Sequence, residues 1–120
     1  MRTALIIAIA LAAIAIPVVG ATADAGTTAP AVVKPVVISI TAVNGRPVGG
    51  IKRPTVKKGQ TVRIVVRANV GSYIHLHGYN IGKPVKKGVP TVIQFVAKVQ
   101  GRFELELHPV DALLAQLTVK

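Results

Sequence analysis

The sequence predicts an all-β sandwich of about seven short strands, preceded by an N-terminal signal helix. Across residues 35–120, short runs rich in Val and Ile alternate with Gly, Pro and Lys turns, and no helical periodicity interrupts them. About seven short strands in a domain of this size must bury their apolar faces against a second layer. A two-sheet sandwich or a small barrel is therefore expected. The chain also has no cysteine, so disulfides cannot hold it together.

The N-terminal segment reads as an export signal. Met1-Arg2-Thr3 carries one positive charge, Ala4 to Val19 is apolar throughout, and Ala21-Thr22-Ala23 offers the small residues that signal peptidases cut after. Cleavage after Ala23 and a periplasmic or secreted location are expected. The apolar run is shorter than the roughly 20 residues of a membrane-spanning helix, and no cysteine follows it to carry a lipid. No stable membrane insertion is expected after cleavage. Residues 24–34 are small, polar and Pro-interrupted, which suits a flexible linker. A single domain is then expected over residues 35–120.

Within that domain, strands are expected near Val36 to Val43, Thr61 to Ala68, Tyr73 to His77, Thr91 to Ala97, Arg102 to Leu107 and Leu113 to Val119, with a shorter one near Pro54 to Val56. Asn44-Gly45-Arg46-Pro47, Lys57-Lys58-Gly59-Gln60, Lys86-Lys87-Gly88 and Gln100-Gly101 are the turn signals between them. The two Lys-Lys-Gly turns place positive charge at loop tips. Two copies of one turn chemistry do not make a solenoid.

The formal net charge is +11, and without Arg2 of the leader fourteen Lys and Arg still face four acids. This balance favours anionic partners, and an acidic protein is the expected class. Nucleic acid is not expected. The aromatic residues are only Tyr73, Tyr79, Phe95 and Phe103, and they form no stacking array interleaved with basic residues.

The chemistry concentrates in His75, His77 and His108. Residues two apart on a strand have parallel side chains with Cα atoms about 6.6 Å apart, so His75 and His77 can close on one ion with metal-nitrogen bonds of about 2.0 Å. His108 joins them if its strand lies alongside. In Arg102 to His108, Phe103, Leu105 and Leu107 share the core-facing phase, which leaves Glu104, Glu106 and His108 on the opposite face. Glu106 is thereby a candidate oxygen ligand or an acceptor that orients an imidazole, with a surface ion pair to a lysine as its plainer role. Copper suits these nitrogen and oxygen donors by affinity order and zinc by geometry.

No enzyme is expected. Neither Ser39 nor Ser72 is flanked by nucleophile-elbow glycines, so a triad with a histidine and Asp111 lacks its frame. Glu104 and Glu106 share a strand face, but a flat strand offers no substrate cleft.

Ser72-Tyr73-Ile74-His75-Leu76-His77-Gly78-Tyr79-Asn80, Val85-Lys86-Lys87-Gly88, Phe95-Val96-Ala97, Gly101 to His108 and Leu117-Thr118-Val119 together resemble the cupredoxin-like (plastocyanin-like) domains of exported bacterial proteins, including the EfeO-type group. The resemblance covers nearly all of residues 36–120 and implies a Greek-key β-sandwich. It implies a copper-ligating role for His75. It also implies a ligand cysteine at the position held by Leu107, and a later histidine and methionine that have no counterparts here. A blue-copper centre needs the copper-thiolate bond, so that chemistry is excluded. The expected function is an exported cupredoxin-like module that binds copper or another divalent metal through histidines. The alternative is a metal-free structural or interaction sandwich with basic loop tips.

Overall fold

In a computed structural model of the 120-residue chain, residues 12–18, 20, 26 and 28–120 are described. The chain divides into two compact units, Met1–Ala31 and Val32–Lys120. The expected signal helix and its cleavage position fall largely outside the described residues, and residues 12–18, which are described, form no helix. Among the described residues no helix is long and apolar enough to cross a membrane.

The second unit holds nine strands: β1 (Val36–Val43), β2 (Arg46–Pro47), β3 (Thr55–Val56), β4 (Thr61–Ala68), β5 (Ser72–Leu76), β6 (Ile81–Val85), β7 (Thr91–Val96), β8 (Gly101–His108) and β9 (Ala112–Val119). They form two sheets with strand orders β2-β1-β4-β7 and β3-β9-β8-β5-β6. β1 runs parallel to β4 and β3 parallel to β9, while the other pairings are antiparallel. This is a β-sandwich.

Alternation builds its core. Ile38, Ile40 and Ala42 of β1, Val62, Ile64, Val66 and Ala68 of β4, and Ile93 of β7 point inward from one sheet. Ile74 and Leu76 of β5, Leu105 and Leu107 of β8, and Leu114, Leu117 and Val119 of β9 meet them from the other. No polar or charged residue is buried among the described residues. Stability therefore rests on apolar burial, at about 2–5 kcal/mol for truncation of one such Leu or Ile to Ala.

The register of β9 contains one irregularity. Leu105 faces Ala115 and Glu106 faces Leu113, so Leu114 is an extra residue in β9. Leu114 and Ala115 are consecutive, yet both are buried. The bulge thus turns Leu113 to the outer face, level with Glu106.

Two strands were not expected from the sequence. β2 closes a tight hairpin with β1 through Asn44 and Gly45, whose φ values of 50° and 77° suit the turn their identities favour. β6 was hidden because Gly82 and Pro84 stand within its five residues. Both are tolerated at a sheet edge, where a missing N–H faces no neighbour. The ring of Tyr73 lies over Gly82 and fills the space a side chain would take.

The turn after β5 is locked by aromatic packing. The Tyr79 ring centroid lies 4.7 Å from Phe95 and 4.6 Å from Phe103. Its hydroxyl donates to the Val99 carbonyl at 2.9 Å and accepts from the Val99 N–H at 3.1 Å. Gly78 has φ of 85°, and a Cβ there would collide with the Phe103 ring. Gly78→Ala is expected to destabilise the fold by about 1–3 kcal/mol through both the backbone and the collision. Tyr79→Phe, which removes two hydrogen bonds and keeps the ring, is expected to cost about 1–3 kcal/mol. Urea denaturation of each variant with an unchanged slope checks both values.

A three-histidine cluster as candidate metal centre

The outer face of the five-stranded sheet carries the chemistry. β5 pairs with β8 so that His75 faces Glu106 and Tyr73 faces His108. On the same strands Ile74 faces Leu107 and Leu76 faces Leu105, and all four of these are buried. One antiparallel pair thus separates an apolar face from a polar one. His77 follows the end of β5 and is tied to β8 by its N–H, which donates to the Glu104 carbonyl at 2.9 Å.

The structure brings all three predicted histidines together. One ring nitrogen from each of His75, His77 and His108 lies within 4.8 Å of the other two. The rings of His75 and His77 meet edge-on with centroids 4.3 Å apart, and His75 and His108 lie 6.4 Å apart. Glu106 reaches among them: its Oε2 is 2.9 Å from His77 Nε2 and 3.8 Å from His108 Nε2. Nitrogens around a tetrahedral ion at about 2.0–2.1 Å lie roughly 3.3 Å apart, so the rings need to close by about 1.5 Å at most. Rotation about side-chain bonds supplies this, because the His77 side chain is 47% exposed and not wedged in packing.

A residue outside the predicted set orients the cluster. His108 Nδ1 is bonded to Asp111 Oδ1 at 2.5 Å across the short turn to β9. Asp111 adopts φ of 49°, a conformation Asp tolerates better than most residues. A carboxylate only accepts, so this bond places the proton of the neutral ring on Nδ1 and leaves the Nε2 lone pair directed toward Glu106 and the other rings. This is the arrangement in which metal-bound histidines are held by a carboxylate behind them. The three-residue spacing of His108 and Asp111 around Pro109 was the available signal in the sequence.

Leu107 occupies a different place from the one the cupredoxin resemblance needs. It is fully buried and points into the core, whereas His75 beside it in the register points outward. Residues at 75 and 107 therefore cannot share an ion in this sandwich, whatever side chain stood at 107. The histidine cluster is a surface assembly across two strands.

Glu104 is held on the other side. Gln116 Nε2 donates to Glu104 Oε1 at 3.1 Å, and Arg53 in turn donates to the Gln116 side-chain oxygen. A cleft of about 310 Å³ lies next to His77, lined by His77, Gly78, Arg102, Phe103 and Glu104. Ser39 stands on β1 with its side chain outward, on the opposite sheet from the histidines.

The molecule is therefore a β-sandwich with a cluster of three histidines and a carboxylate on one outer face. No family model and no curated protein matches the chain. Among solved structures it is similar to a chain from a cryo-EM structure of a heme-copper terminal oxidase dimer, at 14% sequence identity and a TM-score of 0.58. The match covers 71% of this chain and 65% of that chain. At that identity the likeness shows a shared fold.

The orientation of His108 is directly measurable. At a pH where the ring is neutral, its ¹⁵N NMR shifts are expected to report the proton on Nδ1. In Asp111→Ala the balance is expected to move toward the Nε2-protonated form, with His75 and His77 little changed. Identical shifts in the two proteins would show that Asp111 does not set the tautomer.

Proposed function

We propose that this chain is an exported cupredoxin-like module that holds a divalent metal ion, copper or zinc, through His75, His77 and His108, without acting as a blue-copper electron carrier. The observation that carries this is the convergence of three imidazole nitrogens within 4.8 Å across two hydrogen-bonded strands. Three neutral imidazoles are a donor set that both Cu(II) and Zn(II) accept. The bond from Asp111 supports the reading, because it frees His108 Nε2 to ligate. Similarity to a heme-copper oxidase chain is in keeping with a cupredoxin-like sandwich, and the apolar leader supports export.

Glu106 stands beside the three imidazoles as the carboxylate that orients His77, and the fourth position of a tetrahedral ion stays open. Its Oε2 accepts from His77 Nε2–H and approaches His108, so an ion held through His77 Nε2 takes the place of that proton. With no thiolate in the chain, bound Cu(II) rests on nitrogen and oxygen donors alone. A centre of this composition stores or delivers a metal, or uses it to hold a partner.

Calorimetric titration with Cu(II) and Zn(II) tests the proposal. One equivalent of metal is expected to bind. Each of His75→Ala, His77→Ala and His108→Ala is expected to weaken binding by at least tenfold, and Asp111→Asn by about 10–100-fold. The Cu(II) form is expected to lack the intense charge-transfer band of a copper-thiolate bond. No binding above a nonspecific control would overturn the metal reading and favour the metal-free interaction sandwich. Unchanged affinity in all three histidine variants would put the metal elsewhere.

A further inference from the structure

The outer face that carries the histidines also carries two arginines with no carboxylate partner among the described residues. β8 presents Arg102, Glu104, Glu106 and His108 in succession on this face, and Arg102 pairs in register with Thr118 of β9. Arg102 makes no side-chain hydrogen bond or ion pair among the described residues, where every salt bridge involves a histidine. It lines the cleft beside His77 and also a smaller hollow of about 120 Å³, which it shares with Arg53, Gln116 and Thr118. Arg53 donates to Gln116, and that amide donates to Glu104, so the Glu104 carboxylate is engaged by an amide and forms no ion pair with either guanidinium among the described residues.

We infer that this face is a composite site in which a small oxyanion, of the phosphate or carboxylate class, bridges the metal of the preceding proposal and the guanidinium of Arg102. The inference rests on that metal reading and adds a fourth, exogenous ligand to the three histidines. Charge sets the sign of the guest. A divalent ion with Arg53 and Arg102 brings four positive charges to the face, and Glu104, Glu106 and Asp111 return three. Length sets its size. Arg102 and Glu106 are four residues apart on one strand, about 13 Å at Cα, and an extended arginine spans about half of that. The remaining gap leaves room for one small guest between the guanidinium and the cluster. The cleft beside His77 and Arg102 also has the Glu104 carboxylate in its lining, where it is engaged by Gln116.

Arginine is suited to the far end of such a bridge. Its planar fork offers two parallel N–H groups to two oxygens, which lysine cannot reproduce. The hydroxyl of Thr118 is a further donor beside it. Arg53 is expected to act at the edge of the site, through Gln116 and through its charge.

Zn(II) affinity, measured in a non-coordinating buffer with and without inorganic phosphate or acetate, tests this bridge. In the unmodified protein 1 mM phosphate is expected to tighten Zn(II) binding by at least tenfold. Acetate is expected to act in the same direction if a carboxylate fills the same seat. In Arg102→Gln, Zn(II) affinity without the anion is expected to stay within about twofold while the enhancement disappears. Both surface variants, Arg102→Gln and Arg102→Lys, are expected to fold, and Lys is expected to restore only part of the enhancement. Zn(II) binding that ignores both anions would overturn the bridge and leave the metal reading standing. An enhancement unchanged in Arg102→Gln would likewise overturn it. Failure to bind Zn(II) in any buffer would remove the metal reading and the bridge with it.

Discussion

The register between β5 and β8 is the constraint on which the rest depends. Strand side chains alternate with a period of two, so a slip of one residue would exchange the faces of both strands. Ile74, Leu76, Leu105 and Leu107 would then leave the core, and the histidines and Glu106 would enter it. Four buried aliphatic side chains oppose that exchange, and so do the charged groups that would have to be desolvated. The same hydrophobic pattern that holds the sandwich shut therefore sets which imidazoles can meet. The polar cluster contributes little to holding the register, because its members are substantially exposed and their ion pairs are screened by water.

Much of this fold was legible in the sequence. β1 and β4 stand at their expected bounds because each is a run of alternating aliphatic and polar residues ended by turn chemistry, with Asn44-Gly45 after β1 and Lys57-Lys58-Gly59-Gln60 before β4. β6 was illegible because its glycine and proline oppose strand formation locally, and only its edge position and the Tyr73 ring make them acceptable. β2, at two residues, is too short for any periodicity to mark. In each case the deciding fact was tertiary, namely which neighbour lies beside the strand.

The site was legible in a different degree. The His-x-His spacing and the phase of Glu106 and His108 could be read from alternation, but their coming together required the β5–β8 pairing, which no local pattern encodes. Arg102 had no distinct signal, and Asp111 had only its three-residue spacing from His108 around Pro109. Asp111 acts through a turn whose geometry brings it back to His108, and Arg102 is one of many basic residues until the strand neighbours of Glu104 show which cations lack a partner. Leu107 illustrates the reverse. The resemblance gave that position a ligand's role, whereas burial among aliphatic side chains makes it part of the core.

The bulge in β9 has a consequence for where this surface can change. An extra residue bends and twists the strand that holds it, and here that strand is β9, while the four residue pairs joining β5 to β8 run without interruption. The sheet thus takes up its curvature one strand away from the imidazoles. Variation in β9 can reshape the floor beside Glu106 without disturbing the spacing of the ligands. A single residue inserted in β5 or β8 would scatter them.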